Sequence, residues 1–268
     1  MSYNIPTTIL GRTGLRVTRL GIGGAYCKTP EGYVAALDCG VTYVDTARVY
    51  QDGKDEEIIG QAIAGRRDQL VLATKTMSRD ATGARKDLET SLKLLGTDHV
   101  DIWQLHHLNT QHEREQALGP GGAYEAALKA REEGLIRFIG VTGHDWEQVG
   151  QAVATGLFDT VLCWYNCAMP EPETLVFPHA VRHGTGVVIM QSTRNDKLFS
   201  PNDVPPVESF YRYVLSHAAV NVVLRGLRDV ELFRRVAQAL AERWMATPEE
   251  REELETYGKQ MRLAGKLA

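Results

Sequence analysis

The chain has 268 residues, of which 43% are hydrophobic and 24% charged, and its formal net charge is −4. That length suits one α/β barrel with a large buried core, and a weakly acidic balance offers no field for nucleic acid. No run approaches the roughly 20 apolar residues that span a bilayer, and MSYNIPTTILGRTG lacks the basic-then-apolar order of a leader. The expectation is one cytoplasmic domain over residues 1–268, with neither nucleic-acid nor membrane partners.

The first element is a β-hairpin in TTILGRTGLRV, with Gly11 and Gly14 as its turn residues. Eight short apolar runs follow, at residues 20–23, 42–47, 70–75, 100–106, 136–143, 160–166, 186–192 and 221–226. Amphipathic stretches separate them. In ARKDLETSLKLLG, Leu88, Leu92 and Leu95 share one face and Gly96 stands where a helix ends. Near the end, residues 229–244 place Leu232, Val236 and Leu240 on one face, and TPEE supplies a capping box for a further helix, with Thr247 as N-cap and Glu250 three residues on.

Strict alternation of strand and helix implies parallel strands with right-handed crossovers. A doubly wound nucleotide-binding sheet would need a glycine fingerprint after the first strand, and GIGGAY has Tyr26 where the third glycine belongs. The expected fold is therefore a (β/α)8 TIM barrel with an N-terminal β-hairpin and an extra C-terminal helix. Four cysteines, Cys27, Cys39, Cys163 and Cys167, are too few and too scattered for a disulfide framework and read as reduced, packed thiols.

Four polar residues stand at or just beyond the ends of these runs: Asp45 and Tyr50 in VDTARVY, Lys75 in VLATK, and His106 in DIWQLHH. Singly, Asp45 could cap a turn, Tyr50 pack at a rim, Lys75 be solvated and His106 be a satisfied core histidine. In a parallel barrel, however, those strand ends converge on one face. A carboxylate, a phenol, an ammonium and an imidazole meeting there suit carbonyl chemistry.

DTARVY, VLATK and DIWQLHH, together with LGRTGLRVTRLGIGG and GLIRFIGVTGHD, resemble the aldo-keto reductase family over nearly the whole chain. The resemblance implies NADP(H) held at the C-terminal ends of the strands and reduction of a small-molecule aldehyde or ketone. Tyr50 would be the general acid, tuned by Lys75 and Asp45, with His106 orienting the carbonyl oxygen. By the same resemblance Thr142, Gly143 and Leu162 fall at the nicotinamide amide, Gln191, Ser192 and Arg194 after the seventh barrel strand, and Gly226, Arg225 and Arg228 at the adenosine ribose phosphate. The sequence departs from the family there: Gly143 and Leu162 replace polar side chains, and Val236 stands where an asparagine is usual.

Substrate-facing expectations are fewer. The connections at residues 109–122 and 193–206 are short or polar, which implies an open pocket. Trp103 reads as core, and Tyr26, Trp146 and Trp164 as wall residues. His107 is expected to point away from His106 if the strand persists, and His144 to lie at the rim. His179 and His183 have a ligand-like spacing without further partners, so no metal is expected. Two other readings stay open: a cofactor-binding barrel that senses or scaffolds with little turnover, and a barrel acting on phosphorylated metabolites without nicotinamide. Oligomeric state is not legible.

Overall fold

In the computed structural model, residues 2–199 and 205–265 are described. Strands β1 (Thr7–Ile9) and β2 (Arg16–Thr18) pair antiparallel as the expected hairpin. The barrel strands are β3 (Leu20–Gly23), β4 (Tyr43–Asp45), β5 (Val71–Thr76), β6 (Val100–Leu105), β7 (Ile136–Thr142), β8 (Thr160–Trp164), β9 (Gly186–Met190) and β10 (Val220–Gly226). All are parallel, each beside its predecessor, and β10 closes on β3 with Val223 opposite Leu20. The hairpin covers the N-terminal end of the barrel. Its turn passes so near β9 that a Cβ on Gly11, where φ is +50°, would lie 2.3 Å from the Gly186 nitrogen.

Around the strands run α1 (Pro30–Leu37), α2 (Lys54–Ile63), α3 (Ala81–Leu95), α4 (Gln111–Leu118), α5 (Ala123–Glu132), α6 (Trp146–Ala154), α7 (Pro172–Leu175), α8 (Phe177–His183), α9 (Val207–Leu215), α10 (Val230–Glu242) and α11 (Pro248–Leu263). Side chains of Thr29, Asp80, Thr110, Asp145, Asp229 and Thr247 cap six of them at the N-terminus, taking up amide groups the helix leaves unpaired. Gly96 ends α3 in the left-handed conformation at φ +63°. Leu88 and Leu95 of α3 are buried and Leu92 is partly so. On α10 the buried face is Phe233, Val236, Ala237 and Leu240, with Leu232 at its margin. In α11 the capping box of Thr247 and Glu250 forms as expected.

Two apolar cores result. One fills the barrel, where Tyr43, Ala73, Ile102, Leu162, Val188 and Val222 meet Leu10, Leu15 and Val17 of the hairpin region. The other lies between strands and helices and includes Trp103 and the four buried, unpaired cysteines. Burial pushes the thiols of Cys163 and Cys167 up to about 12. The expected loop at residues 109–122 differs: it holds α4, capped by Thr110 and Glu113. Of the expected loop at 193–206, residues 200–204 lie outside the described residues. No described helix is long and apolar enough to cross a membrane.

Candidate active site

Inward-facing positions of β4, β5 and β6 change character toward their C-terminal ends. Tyr43, Ala73 and Ile102 belong to the barrel core, and two residues further on, on the same face of each strand, stand Asp45, Lys75 and Gln104. Lys75 and Gln104 are opposite each other in register. Lys75 Nζ donates to Asp45 Oδ2 at 2.5 Å and to the Thr46 carbonyl at 2.6 Å, and Gln104 Nε2 donates to Asp45 Oδ1 at 2.7 Å. Asp45 and Lys75 are buried, 2% and 1% exposed. This is a fixed ion pair within a satisfied hydrogen-bond set, the arrangement a buried charge needs.

Tyr50 follows β4 in a short helical turn, Tyr50–Gly53, whose Gln51 and Asp52 have φ of 52° and 56°. Its ring centroid lies 4.9 Å from Lys75 Nζ and 5.8 Å from the His106 ring, at an interplanar angle of 79°. The four residues singled out from sequence therefore stand together at the C-terminal face of the barrel. Gln104 completes the set. Its signal is a polar residue two positions before His106 and two after the core Ile102, on the inward-facing side of the strand.

Burial and charge set the protonation states. Burial pushes the Lys75 ammonium down, but Asp45 and Tyr50 outweigh it and hold the group above its ordinary value. Burial raises the Tyr50 phenol, with Lys75 pulling the other way, so the group that faces the cleft is a protonated phenol beside a cation. His106 is held far below its ordinary value, first by burial and then by Lys75, His107 and His144. It is a neutral imidazole, and its Nδ1 is buried without a partner.

The cleft has a volume of about 240 Å³ and is lined by Gly23, Gly24, Tyr26, Asp45, Tyr50, Trp164 and Arg228, among others. His107 also lines it, contrary to the alternation argument. Strand β6 ends at Leu105, and a left-handed His107, at φ 58°, turns its ring back into the cleft, 4.3 Å from the His106 ring centroid. His144 continues the row at 4.1 Å from His107 and stacks on Trp164 at 4.4 Å. Its imidazole is lowered to about 4, chiefly by burial. Tyr26 lines the opposite wall, whereas Trp146 is spent on a hydrogen bond from its indole to the Trp164 carbonyl.

The positions expected to face a nucleotide are distributed unevenly. Gln191, Ser192, Arg225, Gly226 and Arg228 line the cleft. Thr142 is buried at the end of β7 with an unpartnered hydroxyl, and next to it the site of a Cβ on Gly143 is filled by Val149, 2.6 Å away. Leu162 points into the apolar barrel core. Arg194 lies over the Trp164 ring at 4.6 Å. Arg225 is 3% exposed and bonded to Tyr211 Oη at 2.6 Å and Asp196 at 3.2 Å, while Arg228 is exposed, 4.1 Å above the Tyr26 ring. The buried Val236 is core. Among the described residues no group of three His, Cys, Asp or Glu could hold a metal ion, and His179 and His183 are no exception.

Residues 28–199, more than half of the chain, match the profile of the Aldo/keto reductase family. Aldo-keto reductase YhdN of Bacillus subtilis is 35% identical over 196 residues, a match that spans 65% of this chain but only 57% of that relative. Among solved structures, the aldo-keto reductase AKR11C1 of Bacillus halodurans in its holo form superposes with a TM-score of 0.84 at 24% identity, over 94% of this chain and 96% of that one. An aldo/keto reductase of Klebsiella pneumoniae, in complex with NADP and acetate, gives 0.79 at 25% identity over 95% and 96%. With a closed barrel, an N-terminal hairpin and a polar cluster at the strand ends already in place, the profile match settles the family: this chain belongs to the aldo/keto reductases.

Proposed function

We propose that this protein is an NADP(H)-dependent reductase of aldehydes or ketones in which Tyr50 is the general acid, Lys75 and Asp45 tune it, and His106 orients the carbonyl. The observation that carries this reading is the contact set of Lys75 Nζ, 2.5 Å from Asp45 and 4.9 Å from the Tyr50 ring, beside a neutral His106. Family membership and the relative in complex with NADP support the cofactor. Residues of the cleft fit such a group. Among the buried polar atoms without partners are Gln191 Oε1 and Arg225 Nε, on two residues that line the cleft, and His106 Nδ1, on the ring next to the cleft-lining Tyr50 and His107; a polar ligand there would satisfy them.

When bound, the nicotinamide supplies a hydride to the carbonyl carbon. As negative charge develops on the carbonyl oxygen, the Tyr50 hydroxyl gives its proton to that oxygen and the alcohol results. Lys75 makes the transfer easier by stabilising the phenolate that Tyr50 becomes, and Asp45 keeps Lys75 charged and in place. Being neutral, His106 can donate one N–H to the same oxygen, holding the substrate in line without adding a second titrating acid. The phenolate then regains a proton from solvent through the cleft.

The test is a fluorescence titration with NADPH and NADH, then an absorbance assay at the reduced-nicotinamide band with a panel of aldehydes and ketones. Turnover is expected, and Tyr50→Phe should lower kcat by about 10²–10⁴-fold, the usual worth of a positioned acid, with NADPH affinity little changed. A Tyr50→Phe variant that keeps most of the activity removes the assignment. One feature favours a second reading: Gly143 offers no side chain and Leu162 faces the core, which thins the contacts to a nicotinamide amide. NADPH binding without turnover of any carbonyl in the panel would support a sensing or scaffolding barrel instead.

A further inference from the structure

Directly behind the cleft floor lies a carboxylate that the reaction does not use. Asp55, near the start of α2, is fully buried. Three side chains from three segments donate to it: Tyr33 of α1 at 2.7 Å and Gln51 of the turn after Tyr50 at 2.8 Å, both to Oδ1, and Thr46, the residue after β4, at 2.6 Å to Oδ2. A fourth segment rests on it, since a Cβ on Gly24 of the cleft floor would lie 2.3 Å from Oδ2.

Three of these four contacts, those of Thr46, Gln51 and Gly24, lead back to the reacting groups. The Thr46 carbonyl receives Lys75 Nζ at 2.6 Å. Gln51 is the first of three consecutive positive-φ residues after Tyr50, two of them non-glycine, Gln51 and Asp52 at φ 52° and 56°, a conformation that persists in non-glycine residues only where the surroundings enforce it. Here Gln51 Nε2 does so by donating both to Asp55 and to the Cys27 carbonyl at 2.7 Å. The Gly24 amide in turn donates to the Asp45 carbonyl at 2.7 Å. One buried carboxylate thus ties together the turn that aims Tyr50, the carbonyl that anchors Lys75 and the backbone on which the reactants would lie.

We propose that Asp55 is a positioning residue of this active site, clamping the Gln51 turn and Thr46 so that Tyr50 and Lys75 are held at their working separation. The proposal rests on the assignment of Tyr50 as the acid. It carries an electrostatic corollary. Tyr50 is faced by Lys75, which favours its ionised form, by Asp45 and Asp55, which disfavour it, and by the neutral His106. On the far side of Asp55 are Tyr33, whose phenol burial and Asp55 both raise, and Cys27. Glu56, the next residue, is engaged separately by Arg48 and Thr74.

Asp55→Asn keeps the shape and removes the charge; Gln51→Met opens the clamp without stranding a buried charge. In steady-state assays with NADPH, both should lower kcat by about tenfold to a hundredfold, the scale of a small misplacement at a reacting centre, with KM for the carbonyl compound little changed. Asp55→Asn should also move the alkaline limb of the pH–rate profile to lower pH, because a negative charge near the phenol is gone. Gln51→Met should leave that limb in place. Wild-type kcat and pH profile in a folded Asp55→Asn protein overturn the proposal, whatever happens to its unfolding temperature. If that variant does not fold, wild-type kcat in Gln51→Met overturns it. Tyr50→Phe measured alongside separates the two readings: if it stays active, the acid assignment is what fails.

Discussion

The two flanks of the cleft are built differently. On the side of β4, β5 and β6, Asp45, Lys75, Gln104 and His106 are each 3% exposed or less, at or next to strand ends, and Lys75 and Gln104 both donate to Asp45. On the side of β8, β9 and β10, the lining comes from a loop in which Gln191, Arg194, Asn195 and Asp196 all have positive φ. Its side chains bond mainly across the cleft or among themselves: Tyr26 Oη donates to Asn195 Oδ1 at 3.0 Å, Gln191 Nε2 to the same oxygen at 3.1 Å, and Arg225 reaches Asp196. The first flank is preorganised, and the second is occupied by contacts that a nucleotide would exchange under the proposed function. Groups set on rigid elements serve chemistry, where small errors of position are costly, and exchangeable groups serve binding. Variants of the first flank should therefore act on kcat, and variants of the second on cofactor affinity.

The largest effect expected on the rigid flank comes from Lys75→Met. Tyr50 loses the cation that stabilises its ionised form, so its acidity falls, and a loss of roughly 10³-fold in kcat lies within the range for a disabled acid. The sign on pH is the opposite of that for Asp55→Asn: removing a positive charge raises the phenol, and the alkaline limb should move to higher pH. Because Asp45 is then buried with Gln104 alone, stability should fall by about 3–5 kcal/mol. Lys75→Met with Asp45→Asn should recover part of that stability and none of the rate. An unmoved alkaline limb in the single variant means that Lys75 does not tune the acid.

His106→Ala comes next. Its ring is neutral and has an unpaired buried nitrogen, so the fold gains little from its polarity, whereas an oriented donor to a developing oxyanion is worth about 10²–10³-fold. We expect kcat/KM for carbonyl reduction to fall by that factor while the unfolding midpoint shifts modestly. If NADPH affinity and the cooperative unfolding transition both disappear, His106 holds the fold and does not serve the substrate. Its depressed titration also implies that no rate limb near pH 6.5 arises from His106.

The asymmetry between flanks explains what the sequence could reveal. Apolar strand runs ending in Asp45, Lys75 and His106 were visible because strand alternation and the parallel barrel fix where those side chains go, whatever the loops do. The C-terminal end of α3 and the start of α11 are equally legible, since Gly96 and Thr247 act locally. Helix α4 is not. QHEREQAL buries only Ala117 and has no apolar stripe, so it reads as a polar loop, and its capping box is the sole local signal. The alternation expected for His107 held only if the strand persisted, and it ends at Leu105, two residues earlier, before a left-handed turn. Arg225 reads from the sequence as a phosphate ligand, and what the sequence does not show is that a partner 29 residues earlier, Asp196, and the Tyr211 hydroxyl hold it. Side chains whose place depends on long-range pairing carry no periodic trace.

On the exchangeable flank, those placements redirect the cofactor experiment to Arg228. Removing the buried Arg225 would take the partner from the buried Tyr211 hydroxyl and confuse binding with folding. Arg228 is exposed at the cleft wall and stacked on Tyr26, so Arg228→Ala tests a phosphate contact cleanly. If it meets the 2′-phosphate, a charge-assisted bond of about 1.5–3 kcal/mol is lost, and the Kd for NADPH should rise by about one to two powers of ten while that for NADH stays put. Equal weakening of both cofactors would place Arg228 at a phosphate the two share, and no change in either would make it a stacking residue only.

The smallest effect concerns the ring row that joins the flanks. His144 in the folded protein titrates at about 4, against an ordinary value near 6.5 in the unfolded chain. Above pH 6.5 neither state is protonated and His144 contributes no pH dependence. As pH falls from 6.5 toward 4 the unfolded chain takes up a proton that the native state refuses, so stability is lost across that window. His106 and His107 are depressed as well and act with the same sign, which makes a difference measurement necessary. His144→Phe keeps a flat ring against Trp164 and removes the titration. Between pH 7 and 4.5 the wild type should lose more stability than the variant, by on the order of 1–2 kcal/mol once solvent screening of a half-buried ring is allowed for. At about 2–4 °C per kcal/mol for a domain of this size, thermal unfolding followed by circular dichroism resolves it. Parallel Tm curves for the two proteins would mean that the His144 ring is solvated enough to titrate normally, and that the row from Tyr50 to Trp164 is open to water along its outer half.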